Sequence, residues 1–164
     1  MRRTKSSTGA TRTERPSRRI HAETPAKLST ATRCPDCGAS YRRGRWTWEQ
    51  VPVDAAALRC PACVAIATDY PAGVVKVDGK FAAAHRDEIL ALVHHVAERE
   101  RAEHPLKRVM SIADAGAGFA VKTTDAKLAE AIGRALEKAY AGKLVRPRTT
   151  AEKGNLVRVS WRRD

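Results

Sequence analysis

CPDCGASYRRGRWTW at residues 34–48, followed by CPAC at 60–63, decides how the rest of this sequence is read. Cys34, Cys37, Cys60 and Cys63 form a C-x2-C-x22-C-x2-C pattern that uses all 4 cysteines of the chain. A zinc ion (Zn2+) takes four soft ligands in a tetrahedron, and each CPxC turn offers two thiolates from one tight knuckle, with backbone amides at hand to donate to the sulfurs. Gly38 lets the first knuckle close, because it tolerates a positive φ. The interval between the pairs is slightly longer than the about 15–20 residues usual in ribbons, which leaves room for a hairpin. A thioredoxin-type redox pair belongs at a helix start in a βαβ setting and would leave the second pair without a role. Two disulfides are the other reading, and oxidation-driven zinc release stays open. Four closed ligands leave no catalytic position, so the expected ion folds the segment, with an apparent binding free energy of about 10–16 kcal/mol.

The same stretch holds two of the three tryptophans in a chain that is only 5% aromatic. Trp46 and Trp48, flanking Thr47, are expected to cover opposite faces, one beside the metal and the other exposed. With Tyr41, Arg42, Arg43 and Arg45 the exposed one would form a basic, aromatic surface for phosphates and unpaired bases. Burial of both rings against later elements is the competing reading. A second basic surface is expected at LVRVSWRRD, residues 156–164. There Val157, Val159 and Trp161 face one way and Arg158, Ser160 and Arg162 the other. In LVRPR, Arg146 and Arg148 share a face with Leu144, so Arg146, Arg148, Arg158 and Arg162 would line one side of a sheet if the strands are neighbours. An ordinary solvated strand face is the alternative.

Working outward, the fold class expected is α+β, in four parts. Residues 1–33 carry nine Lys or Arg against two Glu, with many Ser and Thr; such a segment cannot offset its ordering entropy and reads as a disordered basic arm. Residues 34–80 read as the four-cysteine zinc ribbon, ending in the strand GVVKV. Residues 81–104 read as a linking amphipathic helix, His85 to His104, with Ile89, Leu92, Val93 and Val96 on one face and Pro105 as its stop. Residues 105–164 read as a small ββαββ unit. Its strands fall near Val109 to Ala113, Gly118 to Lys122, Leu144 to Arg148 and Leu156 to Arg162. Its helix is capped by Thr124 or Asp125, carries Leu128, Ile132, Leu136 and Tyr140 at a spacing of four, and ends before Gly142.

Charge and composition bound the function. The 164 residues are 43% hydrophobic and carry a formal net charge of +13, which points to a polyanionic partner, most often nucleic acid. No apolar run approaches the roughly 18 residues of a membrane span, and the N-terminal stretch lacks the apolar segment of a signal peptide. A soluble, cytoplasmic protein is expected, a compartment in which cysteines stay reduced. No phosphate loop, H-E-x-x-H, G-x-S-x-G or paired-carboxylate arrangement occurs, so no enzyme activity is expected. His94 and His95 point roughly 100° apart on one helix and do not serve one metal.

CPDCGASYRRGRWTW, CPAC leading into YPAGVVKVDG, a helix, and HPLKRVMSIADAGAGFAVKTTDAKLAEAIGRALEKAYAGKLV together resemble a group of small bacterial zinc-ribbon proteins. The motif order is also similar to the middle segment of the archaeal and eukaryotic ribosome adaptor called nonsense-mediated decay protein three. Cys34, Cys37, Gly44 and Trp46 match its first cysteine pair and Gly-x-Trp, and Cys60, Cys63, Val74, Val75 and Val77 match its second pair and strand. Ser111 to Leu144 match its later strand, turn, strand and helix. The adaptor's further cysteine pairs, its insertion between the pairs and its export region are missing here. The resemblance implies a module facing RNA, in particular ribosomal RNA of the large subunit, without a nuclear export role. A DNA-binding regulator and a zinc-dependent protein–protein adaptor or redox sensor are the rival readings.

Overall fold

The computed structural model describes residues 31–145 and 156–164. Arg146, Arg148 and the expected basic arm as far as residue 30 lie outside the described residues. The order that is described begins at β1 (Thr32–Arg33), two residues inside the segment read as arm, because Thr32 pairs with Tyr41 and is fully buried. β1 lies between β2 (Ser40–Arg42), to which it is antiparallel, and β4 (Ala56–Ala57), to which it is parallel. β2 turns into β3 (Arg45–Thr47) through Arg43 and Gly44, at φ 49° and 82°. Two left-handed residues in a two-residue loop match the twist of the strands they join. The four strands run in the order β3-β2-β1-β4.

The second cysteine pair starts a helix that the sequence reading does not contain, α1 (Pro61–Ala67). Proline at its first position already has the helical φ and lacks only an amide that would be unpaired anyway.

The larger sheet has five strands in the order β6-β7-β5-β9-β8: β5 (Gly73–Asp78), β6 (Val109–Ala115), β7 (Gly118–Thr123), β8 (Lys143–Val145) and β9 (Val157–Arg162). Here the structure departs from the expected partition. GVVKV does not close the ribbon; β5 is the central strand of this sheet, antiparallel to β7 and parallel to β9. The ββαββ unit therefore has no continuous sheet without it. The physical reason is burial: Val75 and Val77 are fully buried, and only a sheet with helices packed on it offers that cover.

That cover comes from α3 (Arg86–Glu103), reached through the short α2 (Lys80–Ala84), and from α4 (Ala126–Tyr140), all three joined in one core with the sheet. Ile89, Val93 and Val96 of α3 and Leu128, Ile132 and Leu136 of α4 pack with Phe119, Val121, Val159 and Trp161. Each such side chain contributes about 1.5–3 kcal/mol when fully buried. Asp125 is the N-cap of α4, its carboxylate accepting from the Leu128 amide at 3.0 Å. At the other end Ala141 turns left-handed (φ 56°), and the Trp161 indole N–H donates to its carbonyl at 2.7 Å. Arg163 Nη1 donates to the Tyr140 carbonyl, also at 2.7 Å, so carbonyls left over at the helix end find donors.

Candidate metal centre and the basic faces around it

Two knuckles from different parts of the small sheet bring the four thiols together. Cys34 and Cys37 lie in the turn between β1 and β2, where Gly38 has φ 77° and its amide bonds the Cys34 carbonyl at 2.9 Å. Cys60 is the N-cap of α1, its Sγ accepting the Cys63 amide at 3.4 Å. The Cys60 amide in turn donates to Cys34 Sγ at 3.3 Å.

All four cysteines are free thiols whose sulfurs lie within 4.8 Å of one another. Cys34 to Cys63 is 3.8 Å and Cys37 to Cys60 is 3.7 Å. A tetrahedral zinc with bonds of about 2.3 Å needs sulfurs about 3.8 Å apart, so the residues present fit a metal ion of that kind. Cys34 and Cys60 are fully buried and Cys63 nearly so. Trp46 and Leu106 pack against the cluster, which otherwise has almost no apolar core.

The thiols differ in their electrostatics. Burial raises Cys60 above the ordinary thiol range, helped by the neighbouring cysteines. Burial also raises Cys63, with Arg108 pulling the other way. For Cys34 burial is outweighed by amide donors from Cys60, Cys37 and Asp36, which bring it down to about 7.

Arg108, which the sequence reading did not single out, reaches three of the sulfurs. Its Nη2 lies 3.0 Å from Cys37 and 3.3 Å from Cys60, and its Nη1 3.4 Å from Cys63. Burial disfavours its charge, but contact with Cys63 and Cys37 outweighs that and raises its pKa further. The sulfurs it meets belong to residues 45 to 71 positions earlier, so no local motif announces it.

The tryptophans divide differently from the expectation of one packed and one exposed. Trp46 is half-buried beside the cysteines, with Tyr41 edge-on at 5.6 Å between centroids. Trp48 is also half-buried, its indole N–H donating to the Arg101 carbonyl at 2.7 Å and the Arg101 guanidinium standing 5.6 Å from the ring centroid. The strand ends at Thr47, so the backbone is free to turn Trp48 toward α3. Arg43 and Arg45 are exposed at the hairpin tip, whereas Arg42 is paired with Glu49 at 3.1 Å.

On β9, Val159 and Trp161 are buried while Arg158 and Arg162 are exposed, in the alternation expected from LVRVSWRRD. The register sets Arg158 beside Val74, Ser160 beside Lys76 and Arg162 beside both Asp78 and Lys143. Lys122 lies opposite Val74 on the other side. Lys76, Lys122, Lys143, Arg158 and Arg162 thus share the outer face of the sheet, opposite the helices. Lys122 is paired with Asp69 at 2.7 Å, Lys76 with Asp78 at 3.4 Å and Arg162 with Asp164 at 3.0 Å; Arg158 and Lys143 have no ion-pair partner among the described residues. Between the cations a shallow cavity of about 420 Å³ is lined by Val74, Ala115, Ala120, Val145 and Ser160. His94 and His95 are exposed on α3 and take no part in the cysteine cluster found among the described residues.

Compared with protein-family models, with curated proteins and with solved structures, the chain gives no match in any of the three. Among the described residues no helix is long and apolar enough to cross a membrane.

Proposed function

We propose that the protein is a non-enzymatic, zinc-stabilised RNA-binding protein of the cytoplasm whose target is structured RNA of the large ribosomal subunit. The observation that carries this reading is the outer face of the five-stranded sheet. Lys76, Lys122, Lys143, Arg158 and Arg162 stand there around small and apolar residues, Arg158 and Lys143 without an ion-pair partner among the described residues, and the helices α2 to α4 pack on the opposite face. A broad, shallow basic surface suits the phosphates and the wide minor groove of A-form RNA. The net charge of +13 supports the same class of partner through long-range attraction. Arg43 and Arg45 at the hairpin tip add a second point of phosphate contact.

Duplex DNA is a poorer fit, since groove reading calls for a helix with a basic and polar face. α4 mixes Lys127, Arg134 and Lys138 with Glu130 and Glu137. The choice of the ribosome within the RNA class rests on the motif order shared with the ribosome adaptor. Zinc, once bound, supplies no chemistry in this reading; it shapes the ribbon, while Cys34, Cys37, Cys60 and Cys63 hold it.

The test is sedimentation of a tagged copy from lysate through sucrose gradients at low and at moderately high salt, beside a K76E/R158E variant. The wild-type chain is expected to travel with the large subunit and the variant to be released from it. A wild-type chain that stays at the top of both gradients would overturn the proposal. With a purified ribosomal RNA fragment, each phosphate that the variant leaves unneutralised should flatten the slope of log affinity against log salt by about 0.7–0.9.

A further inference from the structure

The segment between α3 and β6 belongs to the five-stranded sheet by its hydrogen bonds, yet it lies across the cysteines. The Arg108 amide donates to Thr124 Oγ1 at 2.8 Å, and its carbonyl accepts from the Thr124 amide at 3.0 Å. Its Nε donates to the Pro105 carbonyl at 2.9 Å. Backbone and Nε are therefore fixed from within the larger sheet and the loop before it, and only the two terminal nitrogens are left to point outward. Both point at sulfur. Leu106, two residues earlier, packs on the cysteine cluster, and Trp48 bonds the Arg101 carbonyl on the same side.

The three sulfurs within its reach, Cys37, Cys60 and Cys63, would form one face of a tetrahedral site, and the guanidinium donates to all three. At 3.0–3.4 Å it is farther from the sulfurs than a metal at the centre would be. A divalent ion with four thiolates carries two excess negative charges, which the low-dielectric interior makes costly. Cys34, the one sulfur Arg108 does not reach, is served by backbone amides instead.

We propose that Arg108 is a positioning residue of the metal centre: it neutralises and orients the Cys37, Cys60 and Cys63 thiolates, so that metal occupancy holds the ribbon against the five-stranded sheet. This rests on the reading of the four cysteines as a metal site. The planar fork matters as much as the charge, because an ammonium group presents one point where the guanidinium spans three acceptors.

The experiment uses the full chain as wild type, Arg108→Lys and Arg108→Ala. Zinc affinity is measured by competition with a chromophoric chelator, site geometry by the visible spectrum of the cobalt-substituted protein, and docking by the NMR signal of the Trp48 indole N–H. Arg108→Ala should weaken zinc binding about 10- to 100-fold, the usual effect of removing a group that orients metal ligands. The tetrahedral cobalt spectrum should persist, since all four ligands remain. The Trp48 signal should move toward its metal-free position in proportion to the weakening, and Arg108→Lys should fall between the two. Zinc affinities within twofold of wild type for both variants would overturn the inference while leaving the metal site intact. If Arg108→Ala does not fold, Arg108→Lys alone decides, with wild-type affinity and an unmoved Trp48 signal as the refuting result. A wild-type chain that gives no tetrahedral cobalt spectrum would instead refute the metal reading beneath it.

Discussion

Replacing Cys60 by serine separates the two halves of the molecule more cleanly than any other single change. Serine is as good an N-cap as the position needs, so α1 keeps its start. What disappears is a soft ligand in the most buried part of the cluster, at 3.7 Å from Cys37 and within reach of the Cys63 amide and Arg108. The ribbon has little else to hold it: its strands are two or three residues long, and its core is Ala62 and the cysteines, with Trp46 and Leu106 alongside. If an apparent zinc binding free energy of about 10–16 kcal/mol is shared among four ligands, one of them accounts for roughly 2.5–4 kcal/mol, or about a hundredfold to nearly a thousandfold in affinity. That exceeds what so small a cluster recovers by burial. The core around Val75, Phe119, Val121 and Trp161 contains no cysteine and should survive. Amide NMR spectra with and without zinc are the assay: resonances of β1 to β4 should collapse while those of β5 to β9 hold their dispersion. A Cys60→Ser chain with a native ribbon in the absence of metal would refute the assignment of the cysteines. Collapse of both sheets would refute the claim that the larger core stands by itself.

Zinc uptake should release protons, because burial keeps Cys60 and Cys63 protonated above neutral pH in the free chain. Affinity should therefore rise with pH, with Cys34 adding a further proton only below about 7; calorimetry in buffers of different ionisation enthalpy gives the count, and a pH-independent affinity would contradict it. Gly133→Ala should destabilise the chain by up to about 2 kcal/mol net, an overpacking cost of about 1–3 kcal/mol less the gain in helix propensity. A methyl group there would stand 2.6 Å from Val159 Cγ1 and 3.0 Å from Leu144 Cδ1, which outweighs the helix propensity gain of about 1 kcal/mol; denaturant unfolding decides. Trp48→Phe keeps an aromatic side chain, though a smaller one, and removes the donor to the Arg101 carbonyl; it should cost at least about 0.5–1.5 kcal/mol in the same measurement.

Local signals were legible in the sequence and long-range ones were not. The periodicity of Leu128, Ile132 and Leu136 and the cap at Asp125 gave α4 nearly to the residue, and Ile89, Val93 and Val96 did the same for α3. The metal knuckles were legible because spacing alone brings each pair of thiols together. The alternation of β9 was equally plain. The place of β5 was hidden, since its partners β7 and β9 lie far along the chain and a short valine run looks alike in a ribbon or a buried sheet. α1 is short, and its only start signal is Pro61 after the Cys60 cap, in a stretch where the cysteine spacing speaks for a metal knuckle. Arg108 carried no signal at all, being one arginine among many until the fold sets it over the sulfurs. Which way Trp48 turns carries no local signal, because its contact with α3 depends on where β3 stops.

The central position of β5 has a consequence for how the chain reaches its native state. Its parallel partner β9 lies almost a whole domain later, with Gly73 opposite Val157, so half the hydrogen-bonding edge of β5 stays open until the last strand arrives. Pairings of such long sequence separation form slowly, because loop-closure entropy must be met before any contact compensates for it. During that interval an apolar strand with an unpaired edge is available to other chains. Folding should therefore be limited by the docking of β9 rather than by metal capture in the ribbon, whose strands and knuckles close over much shorter spans.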